Sequence, residues 1–146
     1  IKNGATTLYE NWPIDAKSDV SMNHIMFGEI GAWLFKALGG IKPDPEQPGF
    51  KNIILRPSFV EGLTHAEASH MSPYGEITSK WTKKKNDVIY LVTIPANSTA
   101  DLFLPEEYSF KKVKLLSTEK SVSLRKNANG GYHLLAGNYE IVLTRK

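Results

Sequence analysis

Apolar positions along this chain change their period once. Over residues 21–41, Ile25, Met26, Ile30, Trp33, Leu34, Ala37 and Leu38 recur at the three-to-four spacing of a helix. Ser21 suits the N-cap, and Gly39-Gly40 with Pro43 and Pro45 beyond supply a stop. Gly28 and Gly31 weaken the helix relative to alanine, and their small size allows close approach of a neighbouring helix or a ligand. Phe27 and Phe35 extend the apolar surface around most of the circumference, so the helix expects partners on several sides. Trp33 reads as a core residue of that helix.

Lys42-Pro43-Asp44-Pro45-Glu46-Gln47-Pro48-Gly49 then reads as a stiff, extended connector. Beyond it the period falls toward two. Strand patterns fall at residues 52–57, 65–70, 75–83, 88–95, 99–104, 113–116, 122–124 and 139–144. Asn86-Asp87 joins the third and fourth as a hairpin, and Pro95-Ala96-Asn97-Ser98 and Asn129-Gly130-Gly131 are further turn signals. Short strands at this spacing favour a mainly β fold, an antiparallel β-sandwich. Trp81 lies on a strand and reads as sandwich core.

Composition narrows the function classes. The 146 residues carry 41% hydrophobic and 23% charged side chains, ordinary for a globular protein. Net charge is only +3, and the excess lies in residues 44–146. The densest basic run, Lys83-Lys84-Lys85, sits at a hairpin tip without an aromatic stacking platform, so no nucleic-acid partner is expected. The absence of cysteine excludes disulfides, thiolate metal sites and a cysteine nucleophile. No apolar run reaches the length of a membrane span, and no membrane partner is expected. There is no phosphate-cradling glycine loop and no Gly-x-Ser-x-Gly nucleophile motif. His65 and His70 are five apart on a strand and so point to opposite faces, and His133 reads as isolated. Neither a metal nor a cofactor is expected. The chain opens on Ile1 with no signal-peptide pattern, so a piece cut from a larger protein is expected; periplasmic, secreted and cytoplasmic addresses all stay open.

Candidate chemistry concentrates in the first 24 residues. Glu10 stands between the aromatics Tyr9 and Trp12, and Asn23-His24 follow at the expected helix start. Aromatic rings beside a carboxylate suit a sugar: ring faces pack on its C–H faces, while carboxylate, imidazole and amide groups meet its hydroxyls. A carboxylate can also activate water for attack at an anomeric carbon. Bland readings stand beside each of these. Glu10 could be an exposed or helix-capping carboxylate, His24 a first-turn histidine satisfied by backbone, Trp12 core, and Asn23 a cap.

Resemblance adds weight to the sugar reading. Residues 4–12, Gly-Ala-Thr-Thr-Leu-Tyr-Glu-Asn-Trp, with Ser21-Met22-Asn23-His24, Phe27-Gly28 and Gly31-Ala32-Trp33-Leu34, resemble the end of the catalytic barrel of the bacterial α-L-rhamnosidases, a glycoside hydrolase family. Pro48-Gly49-Phe50-Lys51, Ile54-Leu55-Arg56-Pro57 and Ser72-Pro73-Tyr74-Gly75 are similar to that family's link into its C-terminal β-domain; the likeness covers residues 4–105 and fades afterwards. It implies an (α/α)6 barrel that hydrolyses terminal α-L-rhamnose with inversion. One acid protonates the leaving oxygen and a second carboxylate activates water, about 6.5–9.5 Å apart to admit that water. By this resemblance Glu10 matches the general base and His24 a residue that contacts rhamnose, with Trp12 and Asn23 in the same pocket. The general acid would lie upstream.

Residues 1–43 are therefore expected to be the loop and helix that end the catalytic barrel, and residues 44–146 an accessory sandwich packed against it. Partners implied are a rhamnosyl glycoside and the barrel itself. The chain alone is expected to be inactive, because a single inverting displacement needs both an acid and a base. Two departures from the family pattern stand out: Tyr9 replaces a common Trp, and the stretch from Trp12 to His24 is short. A rival class is a non-catalytic carbohydrate-binding sandwich, which would expose a flat aromatic row; Tyr74, Trp81, Tyr90 and Tyr108 are its candidates.

Overall fold

The structure is a computed structural model that describes residues 7, 9, 10, 21–25 and 29–146. The chain divides into two compact units, Ile1–Trp33 and Leu34–Lys146. In the first, Met22 and Asn23 form a bend and Ile25 is in a 3-10 conformation, so no α-helix follows directly on Ser21. The described α-helix, α1, spans Glu29–Leu34. Trp33, expected in the core, is 56% exposed, and Ile30 and Leu34 are exposed with it. Residues Phe35–Gly39 form a π-helical turn, and within the second unit Phe35 packs on the sandwich core.

The second unit is mainly β. One sheet has six antiparallel strands in the order β3-β4-β5-β10-β7-β8. These are His65–Ser72, Gly75–Lys84, Asp87–Ile94, Gly137–Arg145, Tyr108–Leu115 and Lys120–Ser121. The other has four in the order β1-β2-β6-β9, formed by Ile41–Pro43, Asn52–Leu55, Thr99–Leu102 and Tyr132–Leu134. The expected sandwich is therefore present, with one departure from antiparallel pairing: β2 and β6 run parallel. Between them in sequence lies the β3–β4–β5 meander, which belongs to the other sheet and carries the chain back to the same end.

Alternation along each strand sends one face inward. Ile77, Trp81, Tyr90, Val92, Ile141 and Leu143 of the large sheet meet Ile53, Leu55, Leu102 and Leu134 of the small one, all buried. The stretch read as a connector is part of this domain: Ile41–Pro43 pairs with β2, and Asp44 bridges to Gln47 across a tight turn. Pro43 is tolerated because β1 is an edge strand. The expected hairpin forms with Lys84 opposite Asp87, and Lys85 takes φ 56° at its tip.

Gly39 and Gly40 end the π-turn as expected, Gly40 in the left-handed region at φ 70°. A Cβ on Gly40 would lie 2.2 Å from the Pro57 backbone nitrogen, so the position excludes any side chain. Helix C-termini leave carbonyls without partners. Here four consecutive ones are taken up by the sandwich. Ala37 O accepts from Ser58 N–H at 3.0 Å, Leu38 O from Trp81 Nε1–H at 2.9 Å, Gly39 O from Ser79 Oγ–H at 2.5 Å and Gly40 O from Arg56 N–H at 2.8 Å. Ser79 Oγ also lies 3.0 Å from the Tyr90 hydroxyl, whose pKa is pushed up by complete burial.

Candidate functional site

Glu10 is held by a backbone clasp. Its N–H donates to Ser21 O at 2.9 Å, and its carboxylate Oε2 accepts from Ser21 N–H at 3.1 Å. The Thr7 hydroxyl donates to the Met22 carbonyl, so Thr7 and Glu10 are tied to Met22 and Ser21 at two levels. The clasp brings His24 to the same carboxylate, with Nδ1 3.7 Å from Oε2. That separation is too long for a direct hydrogen bond. The Glu10 side chain keeps 44% of its surface open and His24 keeps 24%. An orienting amide, a nearby imidazole and an open carboxylate edge leave lone pairs of Glu10 available to a water or a sugar hydroxyl.

Asn23 lies in the bend between the clasp and His24 and is exposed. Trp12 lies outside the described residues. Sequence reading missed the two groups that build the clasp. Ser21 was read as a helix cap, whereas its amide binds the carboxylate; Thr7 had no assigned role. The signal available was the pair of polar, turn-prone residues flanking the aromatic-carboxylate segment.

The other histidines sort differently. His65 and His70 point to opposite faces of β3, and the His70 ring packs against Phe50 at 4.4 Å between centroids. His133 is not isolated. Its Nδ1 lies 3.1 Å from Asp101 Oδ1, and the buried Asp101 also accepts from Asn52 Nδ2 at 3.1 Å. Asn52 further donates to Asp44 and accepts from the Thr99 hydroxyl, so both amide hydrogens and the amide oxygen have partners. The set stitches β2, β6 and β9 together, a pairing that strand register decides and spacing along the chain does not reveal. Among the described residues no cluster of three or more His, Cys, Asp or Glu side chains could hold a metal ion. Among them, too, no helix is long and apolar enough to cross a membrane.

The aromatic row proposed for a sugar-binding sandwich does not form. Trp81 and Tyr90 are wholly buried, and Tyr108 packs edge-on against Phe59 at 5.0 Å; of the four candidates, Tyr74 has the most open ring. Alternation on β4 and β5 directs both large rings inward, where their area contributes most to the core.

The family model for the bacterial alpha-L-rhamnosidase C-terminal domain matches residues 40–118. The chain belongs to the bacterial α-L-rhamnosidase family. A second model, the bacterial alpha-L-rhamnosidase 6 hairpin glycosidase domain, matches residues 1–38. Among individual α-L-rhamnosidases, one from Formosa agariphila is 33% identical across 96% of this chain, and one from Alteromonas sp. (strain LOR) is 34% identical across 75%. The chain spans 16% and 12% of their respective lengths. The α-L-rhamnosidase of Dictyoglumus thermophilum superposes with a TM-score of 0.77 at 28% identity, over 99% of this chain and 17% of its own. The Streptomyces avermitilis α-L-rhamnosidase, solved in complex with L-rhamnose, gives a TM-score of 0.72 at 20% identity, covering 97% of this chain and 14% of its own; that likeness is one of fold. The rhamnosidase-family chain thus carries the C-terminal β-domain together with a segment similar to the six-hairpin glycosidase domain.

Proposed function

We propose that this chain is the C-terminal part of an inverting glycoside hydrolase that releases terminal α-L-rhamnose, with Glu10 as the general base. The observation that carries this reading is the Glu10 carboxylate, oriented by the Ser21 amide at 3.1 Å, beside His24, and still 44% open. In the proposed reaction Glu10 takes a proton from a water that attacks the anomeric carbon, while an acid elsewhere in the protein protonates the leaving oxygen. His24 binds sugar hydroxyls, and Asn23 and Trp12 complete its side of the pocket. The first unit, Ile1–Trp33, belongs to the end of the catalytic barrel, and the second, Leu34–Lys146, is the accessory sandwich, which takes in as β1 the residues 41–43 expected in the barrel. The names of the relatives, which are α-L-rhamnosidases, support the substrate class. The 146 residues alone lack the general acid and are inactive.

The test uses an aryl α-L-rhamnoside. The chain alone is expected to release no phenol. In a longer polypeptide that places a six-hairpin domain ahead of it, Glu10→Gln is expected to lower kcat by about a thousandfold or more, in the range of a lost general base. Proton NMR of the first-formed sugar is expected to show the inverted anomer. Full activity of Glu10→Gln, or turnover by the chain alone, would refute the assignment.

A further inference from the structure

A trough at one end of the sandwich, of about 450 Å3, lies outside everything assigned above. It is bounded by the β6–β7 connection, the start of β7, strand β9 and the Lys126–Gly130 loop edge. Its walls are aromatic. Phe110 and Tyr132 meet edge to face at 4.7 Å, and Phe103 and Tyr108 line the same hollow, all four rings half-buried. Gly131 is required beside them, since a Cβ there would lie 2.9 Å from the Phe103 ring. Half-open rings with polar groups at their edge suit the C–H face of a pyranose.

Charge specifies the ligand further. Lys126 lines the trough with Nζ 5.6 Å from the Tyr132 centroid, while the Arg56 guanidinium carbon, outside the lining, stands 4.5 Å from the Phe103 centroid. Glu106 also lines the trough, while Lys146 Nζ is spent on the Glu106 carbonyl at 2.7 Å. Lys126 and Arg56 are exposed, and neither appears among the side-chain ion pairs of the described residues. An exposed cation–π contact is a weak restraint. An anion can therefore draw the ammonium off the ring while its own sugar replaces it on Tyr132. A second trough, on the outer face of β4 and β5, differs in both respects: Lys80 is paired to Glu67 at 2.9 Å, and its ring, Tyr139, is buried.

We propose that the trough around Phe103, Phe110 and Tyr132 binds an acidic glycan, a pyranose bearing a carboxylate or sulfate, with Lys126 as the anion's partner. The proposal stands apart from the role of Glu10, because it concerns the sandwich and involves no bond cleavage.

The test is calorimetric titration of the 146-residue chain with three probes: tetragalacturonate, a sulfated galactan tetrasaccharide and neutral galactotetraose. One or both charged probes are expected to bind at least about tenfold more tightly than the neutral one, and to weaken as salt rises. Whichever of the two binds better identifies carboxylate or sulfate as the group recognised. Lys126→Glu is expected to lower affinity about tenfold. Lys120→Glu, on β8 opposite Leu115 at the far end of β7 and roughly 20 Å away by strand rise, is expected to leave it unchanged. Tyr132→Leu keeps apolar volume but loses the ring face, and is expected to weaken binding about fivefold or more with amide shifts outside the trough unmoved. No binding by either charged probe, equal binding of the neutral one, or equal loss in Lys126→Glu and Lys120→Glu would overturn the proposal.

Discussion

The sharpest stability test concerns Ser79. Its hydroxyl has one hydrogen, which goes to Gly39 O at 2.5 Å, so the contact to Tyr90 at 3.0 Å has the tyrosine as donor. Both side chains are wholly buried. Ser79→Ala then strands two groups at once, the Gly39 carbonyl and the Tyr90 hydroxyl. Leaving a buried polar group unpaired costs about 1–3 kcal/mol, so the substitution is expected to cost roughly 3 kcal/mol. Tyr90→Phe alone removes one donor and leaves the bond to Gly39 intact, for a loss of about 1 kcal/mol. In the Ser79→Ala background the same change removes a stranded hydroxyl, so it is expected to be neutral or stabilising by about 1 kcal/mol. The sign of Tyr90→Phe thus depends on residue 79, a coupling of roughly 1–2 kcal/mol. Urea unfolding of the four proteins, followed by far-UV circular dichroism with a common m-value, measures the cycle. Additive effects, or a Ser79→Ala cost below about 0.5 kcal/mol, would refute the claim that this hydroxyl holds the π-turn on the sheet.

Gly40→Ala combines a left-handed φ of 70° with a Cβ 2.2 Å from the Pro57 nitrogen, and is expected to cost more than about 3 kcal/mol in the same urea assay. Burial raises the Tyr90 pKa above its usual value near 10, so the unfolded chain loses that proton first. Stability from this group is full below about pH 10 and falls by about 1.4 kcal/mol per pH unit above it; Tyr90→Phe should flatten the slope measured between about pH 9.5 and 11. Lys85 at φ 56° is an unfavourable side chain in a hairpin turn, and Lys85→Gly is expected to raise stability by about 0.5–1 kcal/mol by thermal melts. Within a longer, active polypeptide, His24→Ala is expected to raise KM for an aryl rhamnoside about tenfold or more with a smaller change in kcat, as for a group that binds sugar in ground and transition states alike; a change in kcat alone would point to a role in positioning Glu10 instead.

Much of the β-domain was legible before any coordinates. Binary alternation placed β4, β5 and β10 within a few residues, and the Asn86-Asp87 signal gave their hairpin. Local rules fell short where pairing is decided at a distance. β1 was hidden because prolines argue against strand, yet an edge position needs no donor from Pro43. β9, at Tyr132–Leu134, is too short to show a period. Trp33, which the helical stripe places in a core, is exposed on α1.

The candidate site divides along the same line. Residue chemistry alone leaves Glu10, Asn23 and His24 open to bland readings as surface, cap and first-turn residues; the resemblance to the rhamnosidase motif is what singles them out. Only the folded chain brought the Ser21 amide to Glu10 and the Thr7 hydroxyl to the Met22 carbonyl, across separations of 11 and 15 residues. The sequence by itself determined which faces must be buried and which side chains can do chemistry, since period and functional groups are local properties. Tertiary structure decided the parallel β2–β6 pair, the Asp101–His133 contact and the fate of each aromatic ring. Those depend on what lies across a sheet gap, and nothing in the order of residues along one strand encodes its neighbour's register.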